Sequence, residues 1–418
     1  MANYIKSEPK GVFERIELIT HGKAAATSRR AFAVGDTVRF TVKAPDDAQS
    51  VVICMKSDDD GNVSYLTMHR LSDRFVTEIQ TDKLCDDNGG LFFYKYIFTT
   101  NRGRFETHRR KLDAVTELRD ISDSFEYSYT MLVYHDVKAD FGWLHGGTMY
   151  QIFVDRFCRG GNETPRDDVI MHGDWSDDPM YAERGMPILN NDFFGGDLAG
   201  VEKKLPYLKS LGVNVIYLNP IFSAYSNHKY DTSDYMSVDE MFGGDEALDS
   251  LIAAAKEQGI SIILDGVFNH TGSNSIYFNK YGKYDSVGAY QSKDSPYYRW
   301  YNFTSYPDKY ECWWGIDIHP RVKCDDETYR EYICGKNGVI RSYLRRGISG
   351  WRLDVADELS DSFLAELRSA ASEEDPRSVI IGEVWENAVT KVSYGNRRRY
   401  FRGHELDSVM NHLDFVII

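Results

Sequence analysis

The 418 residues are 42% apolar, enough for two or three domains with a sizeable core. The net charge of −15 argues against a nucleic-acid partner, because neutralising phosphates takes basic stripes, and the runs Arg109-Arg110-Lys111 and Arg397-Arg398-Arg399 are isolated. No apolar run approaches the length of a membrane span, and an acidic surface suits a neutral substrate.

The N-terminus, from Met1 to Glu8, has no charged segment followed by an apolar one, so no signal peptide is expected. The six cysteines (54, 85, 158, 312, 324 and 334) form no C-x-x-C pair and read as reduced thiols. Together these features lead to the expectation of a cytoplasmic protein. Residues 1–137 read as β: alternating or apolar strands are predicted at 37–43, 51–55, 75–79 and 91–98, with turn clusters at 58–62 and 86–90. Short strands at that spacing predict an N-terminal β-sandwich.

From 138 to 418 the rhythm is strand, then helix. Strands are predicted at 148–153, 213–218, 260–265, 351–355, 379–383 and 406–411. Asp197 is placed to cap a helix that Gly212 ends; Leu248, Leu251, Ile252 and Ala255 share one face of the next; a third is predicted over 327–346 and a fourth over 361–372. Repeated β–α units admit a doubly wound sheet or a (β/α)8 barrel. No G-x-G-x-x-G follows a strand, while Asp265, Asp354 and Glu383 stand at C-terminal strand ends, where barrel enzymes place their chemistry. The fold class expected is α/β, a TIM-type barrel with strands one to six present. Residues 269–325, rich in Tyr and carrying Trp300, Trp313 and Trp314, form too long a βα loop and read as an inserted subdomain.

Glycoside cleavage needs two carboxyl groups across the bond, one protonating the leaving oxygen and the other attacking the anomeric carbon or activating water. In Gly350-Trp351-Arg352-Leu353-Asp354, Arg352 and Asp354 point to the same side of a strand, and the guanidinium is expected to hold the carboxylate ionised. Glu383, after Gly382 and near Trp385, could sit against an aromatic wall that raises its pKa. Each signal alone reads equally well as a structural ion pair, a capped strand-end Glu or, for His270, a packing histidine. No zinc motif is present.

In combination the segments resemble the α-amylase superfamily of glycoside hydrolases. The motifs are Met149-Tyr-Gln-Ile-Phe, Pro220-Ile-Phe, His228-Lys-Tyr-Asp, Asp265-Gly-Val-Phe-Asn-His270, Gly350-Trp-Arg-Leu-Asp354 and Gly382-Glu-Val-Trp385, covering about 146–411. The Phe193-Phe-Gly-Gly-Asp197 and Leu406-Asp-Ser-Val-Met-Asn segments, with the preceding β domain, resemble neopullulanases, cyclomaltodextrinases and maltogenic amylases. The resemblance implies retaining hydrolysis of α-1,4-glucosidic bonds in maltooligosaccharides, cyclodextrins or pullulan. Asp354 would be the nucleophile and Glu383 the acid/base, about 5–5.5 Å apart. Arg352 would position Asp354, His270 would hydrogen-bond the reacting glucose, Tyr230 would stack on it beside His228, Asp265 would lie beneath, and Trp385 would line the acceptor side. It also implies a possible homodimer through the N-terminal domain.

Two departures accompany it. The family's third acid follows a seventh strand, and Asn411-His-Leu-Asp414 follows the sixth. The chain is therefore expected to be a C-terminal truncation, ending within a structure at Phe415-Val-Ile-Ile418, and an inactive glucan-binding fragment is the alternative reading. A transglycosylase on the same barrel is the other. A calcium ion is expected in the subgroup near Gly195 and Asp197, but Arg159, in Cys158-Arg-Gly-Gly-Asn162, stands where an oxygen ligand belongs.

Overall fold

The computed structural model describes residues 14–20, 23–27, 30–109, 116–135, 141–161, 165–181 and 189–410. The signal-peptide, Arg110, Lys111, Asn162, Asn411, Asp414 and 415–418 readings lie outside these residues. The chain divides into two compact units, Met1–Val137 and Lys138–Ile418.

The first unit is β-rich: eleven strands form one hydrogen-bonded network. The long strand Val63–Leu71 explains how one path makes two layers. Its first part pairs with Ala48–Ser57, and its end, His69 to Leu71, pairs instead with Arg74–Gln80. One strand thus passes between the two layers, and their apolar faces enclose one core. Phe40 of one layer meets Tyr94 of the other edge-to-face at 5.4 Å, and Val38, Val42, Ile53 and Phe98 are fully buried around them.

The second unit is built on six parallel strands: β1 (Thr148–Ile152), β2 (Val213–Leu218), β3 (Ser261–Gly266), β4 (Gly350–Leu353), β5 (Val379–Gly382) and β6 (Ser408–Val409). They hydrogen-bond in chain order, β1-β2-β3-β4-β5-β6. A doubly wound sheet reverses its strand order at a switch point; a barrel sheet does not. The sequential order therefore decides between the two architectures in favour of the barrel type. Side chains alternate across the sheet. Ile216, Leu218, Ile262, Leu264, Trp351, Leu353 and Ile380 join the large core that the helices share, while Val215, Tyr217, Ile263, Val379 and Ile381 form a separate cluster on the opposite face. Arg352 alternates with Trp351 and Leu353, which puts it on that opposite face too.

The helices follow local rules. Asp197 caps α1 (Leu198–Lys203) through a bond from the Gly200 N–H, and α2 (Leu205–Ser210) follows with Pro206 in its first turn. Gly212, at φ +80°, turns the chain into β2. α3 (Gly244–Glu257) buries Leu248, Leu251, Ile252 and Ala255, the predicted face. The single helix expected over 327–346 is two, α4 (Glu327–Cys334) and α5 (Val339–Arg346). The break has a steric cause: a Cβ at Gly335 would stand 2.3 Å from the Glu331 carbonyl oxygen, a contact that only glycine avoids. Ser360 caps α6 (Asp361–Glu374), which packs on α5 and α4.

Residues 269–325 pack as an aromatic cluster. Tyr277, Phe278, Trp300 and Tyr301 are buried, and Phe278 lies parallel to Phe303 at 5.8 Å. An antiparallel bridge between His270 and Arg321 draws the two ends of this segment together.

Candidate active site

The strand ends converge on one guanidinium. Arg352 Nη1 donates to both oxygens of Asp265, each at 3.0 Å, and to Asp354 Oδ1 at 3.0 Å. Its Nη2 meets Glu383 Oε2 at 2.9 Å, and Nε points to Met410 Sδ at 3.4 Å. Three carboxylates from the ends of β3, β4 and β5 thus share one cation. Asp265 lies deepest and also accepts from Tyr217 Oη (2.5 Å) and Tyr230 Oη (3.1 Å). Burial pushes its carboxyl above the usual range.

Asp354 corrects the simple sequence argument. Arg352 does favour its ionised form, yet burial and the negative neighbours Asp265 and Glu383 outweigh that, and the carboxyl is pushed up to about 8. One guanidinium divided among three acids cannot hold all of them charged. Glu383, just past the end of β5, shares the same guanidinium. Its Oε2 accepts the Val355 N–H at 2.9 Å and pairs with Arg352, while Trp385 is 57% exposed. Val355 has φ +41°, a left-handed conformation that β-branched residues avoid. This strained peptide ties the end of β4, next to Asp354, to Glu383.

The loop after β2 holds its two site residues by a buried lysine between them. Lys229 is fully buried with φ +63°; its Nζ bonds Asp239 Oδ2 at 2.7 Å and the Ala224 carbonyl at 3.2 Å. That anchor fixes the backbone from which His228 and Tyr230 project. His228 Nδ1 accepts the Tyr230 N–H (3.1 Å), Asn190 Nδ2 lies 3.2 Å from its Nε2, and burial lowers its pKa. Tyr230 Oη is also held by Asn219 Nδ2 at 3.1 Å, and Asn219 in turn by Gln151 of β1 at 2.9 Å.

His270 is buried, and its pKa is well below the ordinary value because of that burial. Asn269 Nδ2 faces its Nδ1 at 3.3 Å, while Nε2 has no hydrogen-bond partner among the described residues. The same holds for His319 Nδ1 and Trp313 Nε1. These three rings touch: His270 stacks on Trp313 at 5.4 Å and meets His319 edge-on at 4.8 Å. Trp313 then stacks on Trp314 at 5.4 Å, and Trp314 meets Trp385 at 6.4 Å. An aromatic ridge therefore runs from buried His270 to exposed Trp385. Sequence reasoning named both ends and missed His319, Tyr217 and Asn219. Tyr217 was findable, since it sits two residues after Val215 on an inward face; His319 follows an irregular insert with no periodicity to read.

Gly195 and Asp197 lie apart from this cluster, in the loop that follows β1. The Gly195 N–H donates to Asp155 Oδ1 at 3.0 Å; Asp197 Oδ1 accepts the N–H groups of Gly160 (2.8 Å) and Gly200 (2.6 Å). Three neighbouring carbonyl oxygens receive the Arg159 guanidinium: Phe194 at 2.7 Å, His172 at 2.6 Å and Gly173 at 3.3 Å. Calcium requires six to eight oxygens. These residues do not fit it, because the convergent oxygens already face a cation that would repel another. Among the described residues no group of three or more His, Cys, Asp or Glu could hold a metal.

The chain resembles known proteins over most of its length. The chain is 36% identical, over 93% of its length, to an amylopullulanase of Thermoanaerobacterium saccharolyticum, of which it covers 33%. It is 30% identical to a cyclomaltodextrinase of a Bacillus species, covering 92% of this chain and 66% of that one. The solved structure of the type III pullulan hydrolase from Thermococcus kodakarensis superposes with a TM-score of 0.56 at 27% identity, covering 91% of this chain and 62% of that one. The chain thus spans between a third and two thirds of the length of these relatives. The alpha-amylase profile, described as Alpha amylase, catalytic domain, matches residues 151–415, and the chain belongs to the alpha-amylase family.

Proposed function

We propose that the intact protein hydrolyses α-1,4-glucosidic bonds in maltooligosaccharides, cyclodextrins or pullulan with retention of configuration. The observation that carries this reading is Arg352, whose two terminal nitrogens each hold one of the two acids the chemistry needs. Asp354 attacks the anomeric carbon and forms a glucosyl ester while Glu383 protonates the leaving oxygen; Glu383 then takes the proton of the water that opens the ester. Holding both acids on one guanidinium favours the short separation of a retaining pair over the roughly 6.5–9.5 Å of an inverting one. Asp354 must be charged to attack. The positive charge that develops on the sugar ring favours that ionised form, so the elevated pKa of Asp354 is lowered as the transition state forms.

Around this pair, the unpartnered Nε2 of His270 is suited to a sugar hydroxyl, and Tyr230 beside His228 offers an aromatic face to the ring. Trp385 and Trp314, exposed at the end of the aromatic ridge, supply stacking surface on the acceptor side. The free state of all six cysteines supports a reducing compartment, and among the described residues no helix is long and apolar enough to cross a membrane. The β-rich N-terminal unit is our candidate for a homodimer contact, which sedimentation of the chain with and without that unit would check.

The test of the reaction is proton NMR of the first product released from maltohexaose or β-cyclodextrin. We expect the α-anomer first and mutarotation later, with turnover abolished in Asp354→Asn. A β-anomer as first product would overturn the retaining mechanism.

A further inference from the structure

The loop after β1 presents a cation-binding arrangement that already contains its cation. All three nitrogens of Arg159 are engaged with backbone carbonyl oxygens: Nε with Phe194, Nη1 with Gly173 and Nη2 with His172. Two of these contacts, at 2.7 and 2.6 Å, have the short lengths of charge-assisted bonds. The guanidinium also lies over the Trp175 ring at 5.4 Å. These acceptors come from two separate segments, around 172–175 and at 194. One residue on the loop therefore ties together three pieces of chain that no strand ladder joins, apart from the two-residue pairing of Ile170–Met171 with Asp192–Phe193.

The surroundings are built for close approach. A Cβ at Gly160 would stand 2.4 Å from Asp197 Oδ1, and one at Gly200 would stand 1.9 Å from the Cys158 carbonyl oxygen. The loop is thus pressed onto the first turn of α1. A second cation shares the Phe194 side chain: Arg156 bonds Asp155 at 2.7 Å and lies 4.2 Å over the Phe194 ring, which also packs against the His172 ring at 4.1 Å and the Trp175 ring at 6.0 Å. A divalent ion placed among the same carbonyls would face the Arg159 guanidinium, whereas the Arg156 charge is already balanced by Asp155 and Asp192.

We propose that the Arg159 guanidinium is the resident cation of this loop, performing the cross-linking that a calcium ion would otherwise perform, so that the fold of the catalytic unit is independent of calcium. The planar fork matters as much as the charge, because three carbonyls are reached in three directions from one rigid group. Lysine, a point charge, cannot reach all three at once.

Calorimetric unfolding of the full chain tests this, in millimolar calcium and in EDTA. The wild-type transition is expected at the same midpoint in both, within about 1 °C. Arg159→Ala is expected to lower it by about 5 °C or more, since it leaves carbonyls without their donors. Arg159→Lys should recover less than half of that loss. A wild-type midpoint that rises with calcium would overturn the proposal, and so would Arg159→Ala with the wild-type midpoint. Should Arg159→Ala not fold, titration calorimetry of calcium into the wild-type chain decides: no heat of binding supports the resident guanidinium, and saturable uptake near one ion per chain overturns it.

Discussion

Each unit contains a buried ion cluster, and the two differ in charge balance. In the β-rich unit, Lys95 meets Glu106 at 2.7 Å, both side chains nearly inaccessible. Its Nζ also donates to the carbonyls of Ser122 and Ser124, and the Ser122 hydroxyl bonds Glu106 Oε1 at 2.9 Å. One cation answers one anion. At the barrel mouth one cation answers three carboxyl groups. A balanced pair locks a fold in one arrangement; a site short of positive charge retains a demand that a cationic transition state can meet. The barrel mouth is therefore expected to be less stable than its packing suggests, as functional sites commonly are.

The largest effect that separates or unites the two clusters is loss of the cation. Arg352→Met should destabilise the catalytic unit by about 3–5 kcal/mol at pH 7, read from denaturant unfolding, and Lys95→Met should cost the β-rich unit a similar amount, since each leaves buried carboxylates unpaired. Loss of an acid should split them. Glu106→Gln is expected to destabilise, whereas Asp354→Asn is expected to stabilise. The sign follows from the raised carboxyl of Asp354, pushed up to about 8. Below about pH 4 folded and unfolded chains both hold that proton; between about pH 4 and 8 only the folded chain retains it, so stability falls as pH rises through that window. The gain from Asp354→Asn should accordingly be absent near pH 4 and reach several degrees in midpoint at pH 8. A gain that is constant with pH would break the charge-deficit account.

Smaller effects sharpen it. His319 has an unpartnered buried Nδ1 against His270. In an Asp354→Asn background, His319→Ala should weaken maltohexaose binding about 5- to 10-fold, measured by calorimetry, because a group suited to a sugar hydroxyl is removed. Smallest of all, Val355→Gly should leave stability within about 1 kcal/mol of wild type. Relief of the left-handed strain at φ +41° offsets the extra freedom that glycine gives the unfolded chain.

The elements legible in the sequence were those with strong period or punctuation. Strand 213–218 and the face of α3 were read directly, and Asp197 and Gly212 marked their helix region as expected. Glycines 335 and 338 broke the 327–346 helix because the backbone must pass close to carbonyls of the preceding turn, which a periodic apolar pattern does not register. Of the site, Asp265, Arg352, Asp354 and Glu383 were legible as strand-end residues. Their mutual electrostatics was not, since the pKa of Asp354 depends on two carboxylates from other strands, Asp265 and Glu383, that share its guanidinium. Arg159 was legible as a misfit among oxygen ligands, while its three carbonyl partners became visible only when segments 172–173 and 194 met.

The central claim is that Asp354 is the group that bonds to sugar. Its most direct test is incubation of the protein with a fluorinated α-glucosyl fluoride, which slows breakdown of the glucosyl enzyme, followed by peptide mass spectrometry. One fluoroglucosyl adduct is expected, located on the peptide containing Asp354 and absent in Asp354→Asn. An adduct on Glu383 or Asp265, or turnover of maltohexaose that survives Asp354→Asn, would contradict it.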